Sequence, residues 1–97
     1  DQVPVEELIV WEDLYPIIDR LYNRFHTRLK ERYGFLLTDK EMQTCCLLCA
    51  GFSTKEIGVI THQSASSIYV RKTSIRKKIG AEEGADIVGF VNETEGA

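Results

Sequence analysis

The sequence predicts an all-α fold: a bundle of four helices containing a helix-turn-helix, with one long amphipathic helix ahead of it or included in it. Three observations predict it. Apolar residues recur at spacings of three and four along most of the chain. Two complete helix-start signatures stand fifteen residues apart, at Thr38 and Ser53. A third helix start follows near Ser64, after a gap of only about four residues, 61–64.

Residues 1–12 read as a connector from an upstream domain, with Pro4 and an apolar run Leu8-Ile9-Val10 before Trp11 but no clear period. From Asp13 the pattern turns helical. Leu14, Ile18, Leu21, Phe25 and Leu29 recur on one stripe, widened by Ile17 and Tyr22. Asp13 is the expected N-cap, Pro16 falls in the expected first turn, and Gly34 is the expected C′ residue. A single helix over residues 13–34 would be roughly 30 Å long. Its stripe is expected to pack on the helix-turn-helix, and part of it could also form a homodimer seam.

Thr38 and Glu41 form a T-x-x-E capping box, with Leu37 and Met42 as its hydrophobic staple. The helix they start should bury Met42, Cys45, Cys46 and Cys49 and stop at Gly51. Ser53 and Glu56 repeat the box, with Phe52 and Ile57 as the staple. The third helix should run over residues 64–79, with Gly80 as C′. A short second helix, a tight turn and this third helix make a helix-turn-helix.

On the third helix Ile68, Ile75 and Ile79 share one face, and Ser66, Tyr69, Val70, Thr73 and Lys77 share the other. Hydroxyls bond base edges or phosphates, a valine meets a thymine methyl, and a lysine neutralises phosphate. A merely solvated helix face would mix Glu with Lys, and no acid occurs from Gln63 to Ala81. Residues 85–91 read as a last short helix with Ile87, Val88, Phe90 and Val91 available for packing. The acids from Glu82 onward are expected to lie away from the DNA groove.

Ninety-seven residues with 43 % apolar and 28 % charged content suit one ordinary globular domain. The net charge of −3 conceals a strong asymmetry. Residues 53–80 carry six Lys/Arg against one Asp/Glu, net +5, while residues 1–52 carry six against nine and residues 81–97 none against five. A local basic patch is what meets phosphate, so the acidic average does not exclude nucleic acid.

Cys45, Cys46 and Cys49 lie within a helical pattern beside Met42, which favours buried thiols over a metal or redox cluster. No metal or cofactor is expected. Three unpaired thiols fit a reducing cytoplasm. No run of about 18 apolar residues spans a bilayer, and no signal peptide is visible. The chain opens Asp1-Gln2-Val3 without a Met, so a longer protein with an upstream sensor is the expectation. An enzyme is not expected: no paired carboxylates, Ser-His-Asp set, nucleophile elbow or phosphate-binding Gly loop stands at working spacing. His26 reads as a helix-surface or partly packed residue and His62 as a turn residue.

The series Leu37-Thr38-x-x-Glu41, Ala50-Gly51-Phe52-Ser53-x-Lys55-Glu56-Ile57, then Ser67-Ile68-x-Val70-x-x-x-Ser74-Ile75-Arg76-Lys77-Lys78-Ile79-Gly80 resembles the DNA-binding domain of LuxR/FixJ-type regulators. The corresponding domain is residues 37–92, with 93–97 as a tail. The segment ahead, with Trp11-Glu12-Asp13 and Phe25-His26-x-x-Leu29-Lys30-Glu31-Arg32-Tyr33, looks like the extension of Bacteroides-type regulators, in which such a domain closes a longer sensor protein.

The resemblance implies sequence-specific binding of double-stranded DNA by an effector domain in the cytoplasm, or in the cytoplasmic part of a membrane-anchored regulator. It implies a homodimer on paired half-sites, often formed through the last helix. It places base reading on Tyr69, Val70 and Thr73, and phosphate contacts on Thr54, Lys55, Ser64, Ser66, Ser67, Arg71 and Lys77. Thr61 and Gln63 depart from it, standing where apolar residues are usual. The turn is therefore either looser or repacked with the upstream helix. Arg71 replaces a common histidine, and Tyr69 is bulkier than usual, so the operator of a relative does not carry over. The alternative reading is a protein-interaction or dimerisation module that keeps the fold without reading DNA.

Overall fold

The computed structural model describes residues 10–96, which form six helices and no strand. In chain order they are α1 (Trp11–Leu21), α2 (Phe25–Tyr33), α3 (Asp39–Cys49), α4 (Thr54–Thr61), α5 (Ala65–Ile79) and α6 (Ile87–Gly96). The all-helical class holds, but the helix count does not, because the long helix expected over residues 13–34 is two. Most of the expected connector, residues 1–9, lies outside the described residues, and Trp11 and Glu12 already belong to α1.

The break falls at residues 22–24, where Asn23 and Arg24 both adopt left-handed backbone, with φ of 53° and 60°. Such conformations cost roughly 1–2 kcal/mol per residue for most side chains, and least for Asn. They persist because the freed polar groups find partners. The Arg24 N–H bonds the Asp19 carbonyl at 2.7 Å, and the Asp19 carboxylate accepts from both the N–H and the hydroxyl of Thr27 in the first turn of α2. Arg28 Nε donates to the Asn23 carbonyl at 2.9 Å. The reversal leaves Leu21 exposed at 68 %, although it lies on the expected stripe, while Ile18, Phe25 and Leu29 are buried.

Two further expectations shift with this hairpin. The N-cap of α1 is Val10, with no side-chain cap, so Asp13 lies inside the first turn and Pro16 further along the helix. Gly34 ends α2 in right-handed geometry, with φ −57°. A Cβ there would stand 2.4 Å from the Lys30 carbonyl oxygen, so glycine is required by contact rather than by a left-handed turn.

Both capping boxes form in full. Glu41 N–H donates to Thr38 Oγ1 while Glu41 Oε1 accepts from Thr38 N–H, and Ser53 and Glu56 repeat the exchange. The helix α3 ends at Cys49, and Gly51 reverses the chain with φ 97°. The main core joins Ile18, Phe25, Leu29 and Tyr33 of the hairpin to Met42, Cys45 and Cys46 of α3, Ile75 and Ile79 of α5, and Ile87 and Val91 of α6. A smaller core of Leu47, Ile57 and Ile68 lies under the joint between α4 and α5, and Trp11 packs against it. A fully buried Ile contributes roughly 1.5–3 kcal/mol relative to exposure. Ile68, Ile75 and Ile79 together therefore outweigh any single ion pair in seating α5.

Candidate nucleic-acid interface

The helix-turn-helix is α4, residues 62–64 and α5. Its turn is closed rather than loose. His62 takes left-handed backbone with φ 57°, the Gln63 N–H bonds the Gly58 carbonyl at 2.8 Å, and Thr61 Oγ1 donates to the Ile57 carbonyl at 2.7 Å. Gly58 is buried, and a Cβ on it would meet the Gln63 carbonyl oxygen at 2.7 Å, so the turn lies directly on the α4 backbone. Of the two outcomes expected from the polar residues Thr61 and Gln63, a looser turn is not what these bonds describe: the turn is closed by its own hydrogen bonds, and the upstream helix approaches it across a cleft. Trp11 lines a cleft of about 310 Å³ with Lys40, Gln43, Ile60, Thr61, Gln63 and Arg71.

Helix α5 begins without an acid. Ser64 is its N-cap, and its hydroxyl accepts from the Ser67 N–H at 3.1 Å while donating to Ser67 Oγ at 3.0 Å. Ser67 stands at the position of Glu41 and Glu56 but meets the Ser64 hydroxyl instead of the N-cap N–H, and no carboxylate stands at this helix start. The helix ends at Gly80, left-handed with φ 82°.

The outward face is as the helical phase predicts. Tyr69 and Val70 are 59 % and 71 % exposed, and Ser64, Ser66, Ser67, Thr73 and Lys77 are exposed beside them. Thr73 Oγ1 donates to the Tyr69 carbonyl at 3.1 Å, which leaves its lone pairs toward solvent. Lys55 is exposed near the start of α4, and Thr54, half-buried, is its first residue.

The basic segment is less free than its charge suggests. Lys78 Nζ pairs with Glu41 Oε1 at 2.7 Å. Arg76 Nε donates to the Ala85 carbonyl at 2.7 Å, and Arg71 is half-buried, donating to Thr44 Oγ1 at 3.3 Å. Within residues 53–80, Lys55 and Lys77 are the cations that make no ion pair or hydrogen bond, and both are exposed. Arg71, expected at a phosphate, is turned toward α3.

Glu83 departs from the expectation for the acidic C-terminal segment. It lines a cleft of about 320 Å³ with Thr73, Arg76, Lys77 and Ala81, so one acid borders the outward face of α5. The other feature the sequence did not reveal is Lys72. Its ammonium donates to Thr54 Oγ1 at 3.0 Å and stands 5.7 Å from the centre of the Tyr69 ring. Lys72 falls between the two faces by phase, so only the three-dimensional position of Thr54 brings it into view.

The cysteines are core residues. Cys45 and Cys46 are buried and Cys49 half-buried, and burial raises all three thiol pKa values, to about 12 for Cys46 and about 11 for Cys49. Among the described residues no group of three His, Cys, Asp or Glu side chains is placed to hold a metal, and no helix is long and apolar enough to cross a membrane. His26 stacks on Tyr15 with ring centres 3.8 Å apart and ring planes nearly parallel, and burial lowers its pKa against the opposing pull of Asp19. His62 lies exposed in the turn.

An acid-free helix held over a two-helix scaffold, with its polar face to solvent, defines a helix-turn-helix domain of the kind found in gene regulators. The family model described as bacterial regulatory proteins, luxR family, matches residues 36–91, and the chain belongs to that family. No curated protein and no solved structure matches the chain. Helices α1 and α2 precede the matched segment.

Proposed function

We propose that the chain binds double-stranded DNA in a sequence-specific manner as the effector domain of a bacterial transcriptional regulator, with α5 in the major groove. The observation that carries this reading is the exposed face of α5: Tyr69, Val70 and Thr73 point outward along a helix without a carboxylate. Tyr69, Val70 and Thr73 read base edges. Thr54, Lys55, Ser64, Ser66, Ser67 and Lys77 contact the flanking phosphates, and Arg71 joins them only if it leaves Thr44. Two copies on paired half-sites, an upstream sensor in the same chain and a cytoplasmic location belong to the same reading.

Selection of bound duplexes from a random pool, using this chain and a Thr73→Ala control, tests it. A shared motif for the unmodified chain and an altered one for the control is expected. Affinity that does not change between low and physiological salt would overturn it, because neutralised phosphates release counterions.

A second reading is an interaction module that keeps the fold without reading DNA. It draws on Ile17, Leu21 and Phe35, which are 48 %, 68 % and 83 % exposed on the hairpin side. A salt-resistant dimer on gel filtration that ignores every duplex would favour it.

A further inference from the structure

Tyr69 is the largest side chain on the reading face, and an exposed aromatic ring on a helix samples several rotamers unless something holds it. Among the described residues no hydrogen bond holds its hydroxyl. The bond from Thr73 reaches only the Tyr69 backbone carbonyl. What does meet the ring is the Lys72 ammonium, 5.7 Å from its centre, and that ammonium is itself fixed by Thr54 Oγ1 at 3.0 Å.

The three residues come from two helices. Thr54 opens α4, while Lys72 and Tyr69 lie one turn apart on α5. The Lys72 side chain crosses the joint of the helix-turn-helix, with its charge placed between a scaffold hydroxyl and an aromatic face. A cation over a tyrosine face is attracted by the ring quadrupole, and the attraction grows as water is excluded. Lys72 is half-buried, unlike Lys55 and Lys77. Burial, then the charge of Arg76, lowers its pKa, with Asp86 opposing. Its neighbours are thus those of a packed, oriented group.

We propose that Lys72 is a positioning residue for base recognition: anchored on Thr54, it holds the Tyr69 ring in one orientation at the groove and so sets which base pairs the chain prefers. This rests on the DNA-binding reading above. Lys72 acts through Tyr69 and needs no phosphate contact of its own.

The first test needs no DNA. In the NMR spectrum of the unmodified chain the Lys72 ε-methylene protons should be shifted upfield by the Tyr69 ring, and Tyr69→Leu should return them to the ordinary lysine position. Unshifted protons in the unmodified chain would overturn the proposal. The second test compares the preferred duplex with one altered at the base pair sensitive to Tyr69→Leu. Lys72→Met should reduce the preference roughly two- to fivefold, the scale of one partly exposed cation–π contact. Lys72→Arg should restore it, and the slope of log affinity against log salt should not change. A Lys72→Met variant that keeps the preference but loses about 0.9 of slope would mark Lys72 as a phosphate contact and overturn the proposal. A chain that binds no duplex sinks the DNA reading, and the specificity role with it, while the proton shifts still report whether the Lys72–Tyr69 contact exists.

Discussion

The Glu41 carboxylate and the Lys78 ammonium meet at 2.7 Å, which ties the first turn of α3 to the last turn of α5. Glu41 closes its own capping box with Oε1 and accepts the Ser74 hydroxyl with Oε2 at 3.0 Å. Burial alone would raise its pKa. The Lys78 ammonium, the Thr38 N–H and the Ser74 hydroxyl outweigh burial and hold it below the ordinary carboxylate value.

Glu41→Ala removes its side chain's capping contact with the Thr38 N–H and two further partners, Ser74 and Lys78, and should cost about 2 kcal/mol in urea denaturation, more than the roughly 1 kcal/mol of a cap alone. The folded carboxyl binds its proton less tightly than the unfolded one, so acid favours the unfolded chain. Stability from Glu41 is full above the unfolded carboxylate pKa and is lost as pH falls through the lower folded value. The unmodified chain should therefore lose more stability below about pH 4.5 than Glu41→Gln does. Parallel pH profiles for the two would contradict this.

Gly58→Ala places a methyl against the Gln63 carbonyl oxygen, with the ideal Cβ at 2.7 Å. The atoms it would meet, in Gln63, Ser64 and Ala65, are all backbone, so the turn must move. A loss of about 2 kcal/mol is expected, typical of overpacking at a close contact. Hydrogen exchange at the Gln63 amide, bonded to Gly58 at 2.8 Å, should quicken more than exchange in α2.

Base and phosphate roles separate by their response to sequence. Thr73→Ala and Val70→Ala should alter which duplex is preferred by roughly 1 kcal/mol. Lys55→Ala should weaken all duplexes alike and reduce the salt slope by about 0.9. Fluorescence titration at several salt concentrations measures both. Equal weakening of all duplexes by Thr73→Ala would remove it from the reading set.

The thiols should resist alkylation while the chain is folded. With pKa values near 12 for Cys46 and 11 for Cys49, little thiolate exists at pH 8. Modification by iodoacetamide should be about two orders of magnitude slower than for a free cysteine. Half-buried Cys49 should react first, and urea should release all three together, as mass spectrometry would show.

The features visible in the sequence were those decided locally. Thr38, Ser53 and Gly80 mark helix ends through contacts within one turn, and the structure places α3, α4 and α5 where those marks put them. The break at Asn23 and Arg24 left no such mark. No Gly or Pro stands at or next to the break, and the apolar stripe runs through it, so only the bonds that Thr27 and Arg24 donate to Asp19 reveal it. Arg71, Lys72 and Lys78 illustrate the same limit for the site. Helical phase gives the side a residue faces, but the partners Thr44, Thr54 and Glu41 lie 18 to 37 residues away in the chain.

The reversal at residues 22–24 has a consequence for cooperativity. A straight helix would have lain along one core only. Folded back, the hairpin inserts Phe25 and Leu29 into the main core while Trp11 covers the small core beneath α5. Opening of the hairpin therefore strips both cores at once, and α5 loses its support in the same event. The cooperative unit is therefore expected to include α1 and α2 as well as the family segment that starts at residue 36. Helix α5 should then exchange its amide protons at the same global rate as α1 and α2, which precede the matched segment.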